Sequence, residues 1–339
     1  MDNSTSQVPF FSVIIPTRNR PILFKRALES AINQTFDNIE IIIVNDGSDD
    51  KSMKMYKEIE SGCQANVRFY NLIHRPKGHG SSYSRNYGAQ VSNGQYLCFL
   101  DDDDLWIDNE HLSTAHESIK SHTEIVDAYY TNQKAYDPNG QESSNCIWLE
   151  DLISRFEDTK QDNLGNTVLD VTHLTKSNGF SHLNCSIIRK EFFEKIGGMD
   201  EDIRYESDRD LYLRTIDLAQ GIILFSPRFI ARHNIPNAKK KDNVSTASSD
   251  IERFIYQLRM YNKGLIFSKT SNVRDVCIRN KMYILKKMTE ELYRNKDYEK
   301  SASFSRQALG VRFSLKWFLF SLYLSGLTLI YKVKNPTSE

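Results

Sequence analysis

The sequence predicts an α/β fold, a mainly parallel sheet flanked by helices, followed by an α-helical C-terminal extension. Three observations carry this. Short runs rich in Val, Ile and Leu alternate with segments of helical period; those runs are apolar continuously rather than at every second residue; and beyond Ser249 only helical spacings remain.

The elements follow in order. Phe11 to Ile15, Glu40 to Val44, Val67 to Leu72 and Tyr96 to Leu100 read as strands, and segments near Pro21 to Asn33, Ser52 to Ser61 and Ser81 to Val91 read as the helices between them. Strands of this composition are buried on both faces, and ligands of such sheets bind beyond the carboxyl ends of the strands. Three of those ends are polar: Pro16-Thr17-Arg18-Asn19-Arg20, Asn45-Asp46-Gly47-Ser48-Asp49-Asp50, and Asp101 to Asp104. They are expected to meet on one rim.

Asp137 to Phe180 is polar and irregular, with a turn at Pro138-Asn139-Gly140 and aromatic residues around Trp148 and Phe156, and it reads as a variable insertion. Cys185 to Ile188 is a further strand, and Lys190 to Ile196 a helix stopped by Gly197-Gly198. Leu211 to Leu218 reads as helix and Ile222 to Phe225 as strand. After Ser249, Phe254, Leu258, Tyr261 and Leu265, then Cys277, Ile284, Met288 and Leu292, fall at spacings of three, four and seven, and Asn295-Lys296-Asp297 is the turn between that helix and a short following one marked by Tyr298, Ala302, Ser305 and Leu309. The expected division is a first domain over 1–248 and a helical region over 249–339.

Composition narrows the function. In 339 residues Lys plus Arg equals Asp plus Glu, at 44 each, so no overall field favours nucleic acid. Cys63, Cys98, Cys146, Cys185 and Cys277 are odd in number and show no C-x-x-C spacing, which points to a reducing compartment rather than a disulfide scaffold or zinc site. Met1 to Gln7 carries no secretion signal, and a cytoplasmic chain is expected. Trp317 to Tyr331 is largely apolar, with Lys316 before it and Lys332 and Lys334 after it. It is shorter than the about 20 apolar residues of a spanning helix, and fits either a packing helix or an interfacial helix in peripheral contact with the inner face of the cell membrane. Self-association through this tail stays open.

The four aspartates behind Tyr96-Leu97-Cys98-Phe99-Leu100 call for a counter-charge. Crowded carboxylates resist ionising together unless a hard cation or solvent absorbs their charge. Along an extended segment Asp101 and Asp103 would face one ion, with Asp102 and Asp104 turned elsewhere. Mg²⁺ prefers few carboxylates plus phosphate oxygens, so a metal-bridged diphosphate is the natural ligand. A solvated loop or the first turn of a helix is the alternative.

In that order, the opening Phe11 to Arg20, the block Ile43-Val44-Asn45-Asp46-Gly47-Ser48-Asp49-Asp50, Ser84-Arg85-Asn86-Tyr87-Gly88, the stretch Phe99 to Trp106, Gly197-Gly198-Met199-Asp200 and Asp208-Arg209-Asp210-Leu211 resemble a family 2 glycosyltransferase of the Rossmann-like GT-A fold, over roughly residues 10–248. The resemblance implies an inverting enzyme that moves a sugar from a nucleotide-diphosphate sugar, a UDP-sugar by expectation, to a surface glycan or lipid-linked acceptor. It implies donor-binding roles for Pro16, Thr17, Arg20, Asp46, Arg85 and Asp102, and Mg²⁺ or Mn²⁺ held by Asp101, Asp103 and His233. It implies that Asp208 is the base that takes the acceptor proton. The family often has two aspartates where this chain has Asn45-Asp46, and a Glu-Asp pair where it has Ser207-Asp208, so Glu206 and Asp210 are rival bases. A structural account of Ser207-Asp208-Arg209-Asp210 is a capping box opening a helix at Leu211. Lys239-Lys240-Lys241 and Asn243-Val244-Ser245 follow His233 on one expected loop. The alternatives are a sugar-phosphate nucleotidyltransferase, which the glycine-free segment after the first strand disfavours, and a non-catalytic sugar-binding protein of the same fold.

Overall fold

Alternate residues of the first strand feed two different cores. In β1 (Phe11–Thr17), Phe11, Val13 and Ile15 join one buried cluster and Ile14 joins another, so the strand is covered on both faces as its unbroken apolar run requires. The computed structural model describes residues 8–143, 148–155, 159, 161–237 and 248–334. The chain divides into two units, Met1–Ala238 and Lys239–Glu339.

In the first unit β1 is followed by α1 (Pro21–Ile32), β2 (Ile39–Asn45), α2 (Asp50–Ser61), β3 (Val67–Asn71), α3 (Ser81–Val91), β4 (Tyr96–Phe99), β5 (Leu105–Trp106) and α4 (His111–Ser121). Then come β6 (Val126–Tyr136), α5 (Glu150–Arg155), β7 (Thr167–Leu169), α6 (Val171–Leu174), β8 (Ser186–Arg189), α7 (Lys190–Lys195), α8 (Ser207–Leu218) and β9 (Ile222–Asn234). The sheet runs β3-β2-β1-β4-β8-β6-β9-β5, with β7 on β9. Strands β1 to β4 pair in parallel, whereas β8 is antiparallel to both β4 and β6. Phe24 and Leu28 of α1 and Leu112 of α4 cover one face; Ala89 of α3 and Phe192 and Phe193 of α7 cover the other.

Pro16 pairs with Val44 of β2 and lies past the end of the β4 pairing, which stops at Ile14 opposite Phe99. Gly197 and Gly198 end α7 with φ of 88° and 60°, a left-handed stop that suits glycine. Three readings change. The insertion after Tyr136 contains α5, β7 and α6; β6, an eleven-residue strand, precedes it; and β9 runs nine residues past Phe225. The capping box gives way as well, since α8 opens at Ser207 rather than Leu211, behind a left-handed Glu206 with no side-chain cap bond. Cys146, Phe156, Lys239 to Lys241 and Asn243 to Ser245 lie outside the described residues.

The second unit is helical: α9 (Asp250–Phe267), α10 (Ser271–Arg294), α11 (Tyr298–Val311) and α12 (Leu315–Lys334). Ser249 and Glu252 form a capping box at the start of α9, and Lys296 makes the turn before α11 with φ 61°. No described helix is long and apolar enough to cross a membrane.

Candidate active site

The polar ends of β1, β2 and β4 meet on one rim. Asn19 N–H donates to Ser48 Oγ at 2.9 Å and Asp49 N–H to Asn19 Oδ1 at 2.8 Å, tying the first loop to the second. Arg20 then crosses to the aspartates, placing Nη2 2.7 Å from Asp102 Oδ1 and Nη1 2.7 Å from Asp103 Oδ2. Thr17 Oγ1 donates to the other Asp102 oxygen at 2.7 Å. Both oxygens of the buried Asp102 are thus committed, and it fixes Thr17 and Arg20 in place.

The aspartates do not continue the strand. Sheet pairing of β4 ends at Phe99, and Asp104 N–H donates to the Asp101 carbonyl at 3.1 Å, which closes a turn. The expected alternation of Asp101 and Asp103 against Asp102 and Asp104 is therefore replaced. Asp101, Asp103 and Asp104 each bring a carboxylate oxygen within 4.8 Å of the others. Asp104, fully buried, accepts from Asn234 N–H at 2.7 Å and Asn184 Nδ2 at 2.6 Å, and its Oδ2 lies 2.8 Å from His233 Nδ1.

Electrostatics follow from the crowding. Burial raises the Asp101 carboxyl, but the Arg85 guanidinium, 2.5 Å away, overrides it and holds the group below the usual carboxylate range. Burial and the Asp104 charge push Asp103 well up, against Arg20. Burial pulls the His233 imidazole down, yet Asp104 outweighs it and lifts the ring to about 9. The crowding that raises Asp103 is of the kind a divalent cation relieves, and aspartate oxygens are the hard ligands such ions take.

Arg85 is no surface charge: it is buried on α3 and spent on Asp101. Asp46 is buried too, and accepts from the N–H groups of His79 and Gly80 at 2.8 and 2.9 Å, with His79 Nδ1 at 2.7 Å. The neighbouring Gly78 has φ 66°, and a Cβ there would overlap Arg18 Nη1 and the Asp46 carboxylate. Asn45, with no exposed surface, accepts from Ser48 Oγ at 2.6 Å and donates to Asn71 Oδ1 at 3.0 Å, so its amide serves the loop in both directions, which a carboxylate could not do.

Of the three acidic residues around the start of α8, Glu206 pairs with Arg209 at 3.1 Å and the buried Asp210 with Arg214 at 2.7 Å. Asp208 faces the rim instead, its Oδ2 3.8 Å from His182 Nε2, which is also 3.8 Å from Asp101 Oδ2. Sequence reading did not single out His182, Asn184 or Asp104 as site residues. No spacing rule finds His182; it arrives because β8 runs antiparallel to β4, which sets the chain entering β8 beside the chain leaving β4. Trp148 packs edge-on against both His182 and His233, at 6.1 and 5.4 Å.

A family model described as "Glycosyl transferase family 2" matches residues 12–197, more than half of the chain. The chain belongs to glycosyl transferase family 2. This family 2 chain is 26% identical over 248 residues to an uncharacterized glycosyltransferase of Rickettsia typhi, covering 73% of this chain and 69% of the relative. It spans only 32% of a similar protein from Rickettsia bellii. Among solved structures, S. aureus TarS 1-349 in complex with UDP-GlcNAc superposes with a TM-score of 0.56 at 17% identity, over 92% of this chain and 79% of that one. The mannosyltransferase PcManGT of Pyrobaculum calidifontis, in complex with GDP-Man and Mn²⁺, gives 0.57 at 16%, over 96% and 81%. At these identities the likeness is one of fold, and the fold is GT-A.

Proposed function

We propose that this family 2 chain is an inverting, metal-dependent glycosyltransferase that moves a sugar from a nucleotide-diphosphate sugar, specifically a UDP-sugar, to a surface glycan or lipid-linked acceptor. The observation that carries it is the rim itself: three aspartate oxygens within 4.8 Å of one another, with Asp208 reaching the same place through His182. The UDP-GlcNAc and GDP-Man named for the two solved structures support a nucleotide-sugar donor, and the Mn²⁺ of the second supports a cation. A 42% identical stretch of 97 residues in the minor teichoic acid biosynthesis protein GgaB of Bacillus subtilis supports a surface-glycan acceptor.

Asp101 and Asp103, joined by Asp104 and with His233 beside them, would hold Mg²⁺ or Mn²⁺, which when bound neutralises charge developing on the departing diphosphate. Arg85, bonded to Asp101 Oδ1, holds that carboxyl below the usual carboxylate range, the form in which it would serve as a ligand. The loop from Pro16 to Arg20, held by Asp102, and the loop at Asp46 form the donor side. Asp208 takes the acceptor hydroxyl proton on its carboxylate as the new glycosidic bond forms and the bond to the diphosphate breaks. A single attacking step inverts the anomeric carbon. Asp210 is engaged by the Arg214 guanidinium, whereas among the described residues Asp208 meets only the His182 ring across the rim and the Arg209 N–H of its own helix turn.

The test is a panel of UDP-, GDP- and dTDP-sugars, each assayed for hydrolysis and transfer with Mg²⁺, Mn²⁺ or chelator, with and without a crude lipid fraction. Turnover of a UDP-sugar that chelation abolishes and Mn²⁺ restores is expected. Metal-independent turnover, or turnover of no nucleotide sugar, overturns the proposal.

A further inference from the structure

We propose that α12 seats the chain on an anionic membrane surface, lying in the plane of the interface with the face around Leu319 and Leu322 among the lipid chains. The proposal rests on this helix alone and stands whether or not the first unit transfers sugar.

Helix α12 is apolar on two sides. One side packs within its own unit: Ser321 and Leu324 are buried, and Trp317 Nε1 donates to the Ser305 carbonyl of α11 at 3.1 Å. The other side faces solvent. Leu315, Leu319, Leu322, Leu329, Ile330 and Val333 are each more than half exposed. At 3.6 residues per turn these six fall within an arc of about 100°, along a helix of about 30 Å. A continuous apolar stripe of this length on a soluble surface marks a contact.

Charge placement says which contact. On the same helical wheel Lys316 and Lys334 stand just beyond one edge of the stripe, and Lys332, whose Nζ donates to Glu299 Oε1 of α11 at 2.9 Å, just beyond the other, so the edge of Lys316 and Lys334 carries the charge that faces a headgroup. The helix contains no acidic residue. Lysines flanking an apolar stripe lay their stems along it and lift their ammonium groups to the level of anionic headgroups. A second copy fits less well, because two such stripes face to face would bring lysine edges together with no carboxylate from either α12 to meet them. Nor can the helix span the bilayer, since it falls short of the apolar length and carries protein on its other side.

The full chain is sedimented with vesicles of phosphatidylcholine, or of phosphatidylcholine with about a quarter phosphatidylglycerol. The parent is expected to bind the anionic vesicles at least about tenfold better than the neutral ones. A Leu319→Asp/Leu329→Asp variant and a Lys316→Glu/Lys334→Glu variant should each lose about tenfold of that binding, with circular dichroism and thermal midpoint unchanged. Equal binding of parent and both variants, or no binding to either vesicle, overturns the proposal. So does a parent that self-associates in the ultracentrifuge while Leu319→Asp/Leu329→Asp is monomeric and vesicle binding is unaffected, which assigns the face to a second copy.

Discussion

The Nε2 atom of His182 stands 3.8 Å from Asp208 Oδ2, at the point where the chain entering β8 passes the first turn of α8. Its other nitrogen, Nδ1, lies 3.3 Å from the N–H of Asn184 and accepts from it. A ring that accepts at Nδ1 carries a proton on Nε2, and that N–H faces the carboxylates of Asp208 and Asp101, 3.8 Å from each. One ring thereby spaces the proposed base from the proposed metal ligands. His182→Phe should lower kcat by about 10- to 100-fold with a smaller change in the KM for donor, measured in initial-rate assays. Parental kcat in that variant would show that His182 only fills space.

Asp208→Asn keeps the shape of the first turn of α8 and removes the proton acceptor. Turnover should fall by about 10²- to 10⁴-fold while donor affinity, read by calorimetry, stays within about twofold. The same change at Asp210 should act on stability first, since Asp210 is buried against Arg214. An Asp210→Asn variant that folds normally and is inactive, beside an active Asp208→Asn, would move the base to position 210.

Arg20 is the positive charge shared by Asp102 and Asp103, with bonds of 2.7 Å to each. Arg20→Ala leaves two crowded carboxylates without it, a loss worth about 3 to 5 kcal/mol for buried pairs. The thermal midpoint should drop, and it should recover in part below neutral pH. Burial already raises both carboxyls, so protonation relieves the repulsion that Arg20 had offset. A midpoint equal to the parent's would mean that solvent screens this pair.

His111 is a buried ring, edge-on to Trp106 at 5.2 Å, with no hydrogen-bond partner for either nitrogen among the described residues. Burial, aided by Arg228, pulls its pKa down to about 3. The unfolded chain takes up a proton near pH 6.5 that the folded chain refuses until about 3, so stability falls as pH drops between those values, by up to about 1.4 kcal/mol per pH unit. His111→Phe keeps the ring packing and removes the titration. Its thermal midpoint should fall less than the parent's between pH 7 and 5; parallel curves would refute the assignment.

The helices and strands that were legible in the chain are those with a period. Strands β1 to β4 and helices α1 to α3 declare themselves because apolar side chains fill both faces of the sheet. Strand β6 carries no such mark because polar residues break its buried run: Asp127, Thr131, Asn132 and Gln133 are buried beside Val126, Ala128, Tyr129 and Tyr130. The register of β6 on β9 also shifts three times, so no alternation survives.

By itself the sequence determined the parallel half of the sheet, the three polar strand ends on its rim, the acidic cluster behind the fourth strand and the family. These are local matters of side-chain period and of which residues follow a strand. Only the tertiary structure decided which acids work together. A turn rather than an extended segment brought Asp104 to Asp101 and Asp103. Antiparallel pairing of β8 with β4 delivered His182 and Asn184 to them, and antiparallel pairing of β5 with β9 set His233 and Asn234 on Asp104. Strand direction is chosen by hydrogen-bond partners far along the chain, and a period of two reads the same in either direction.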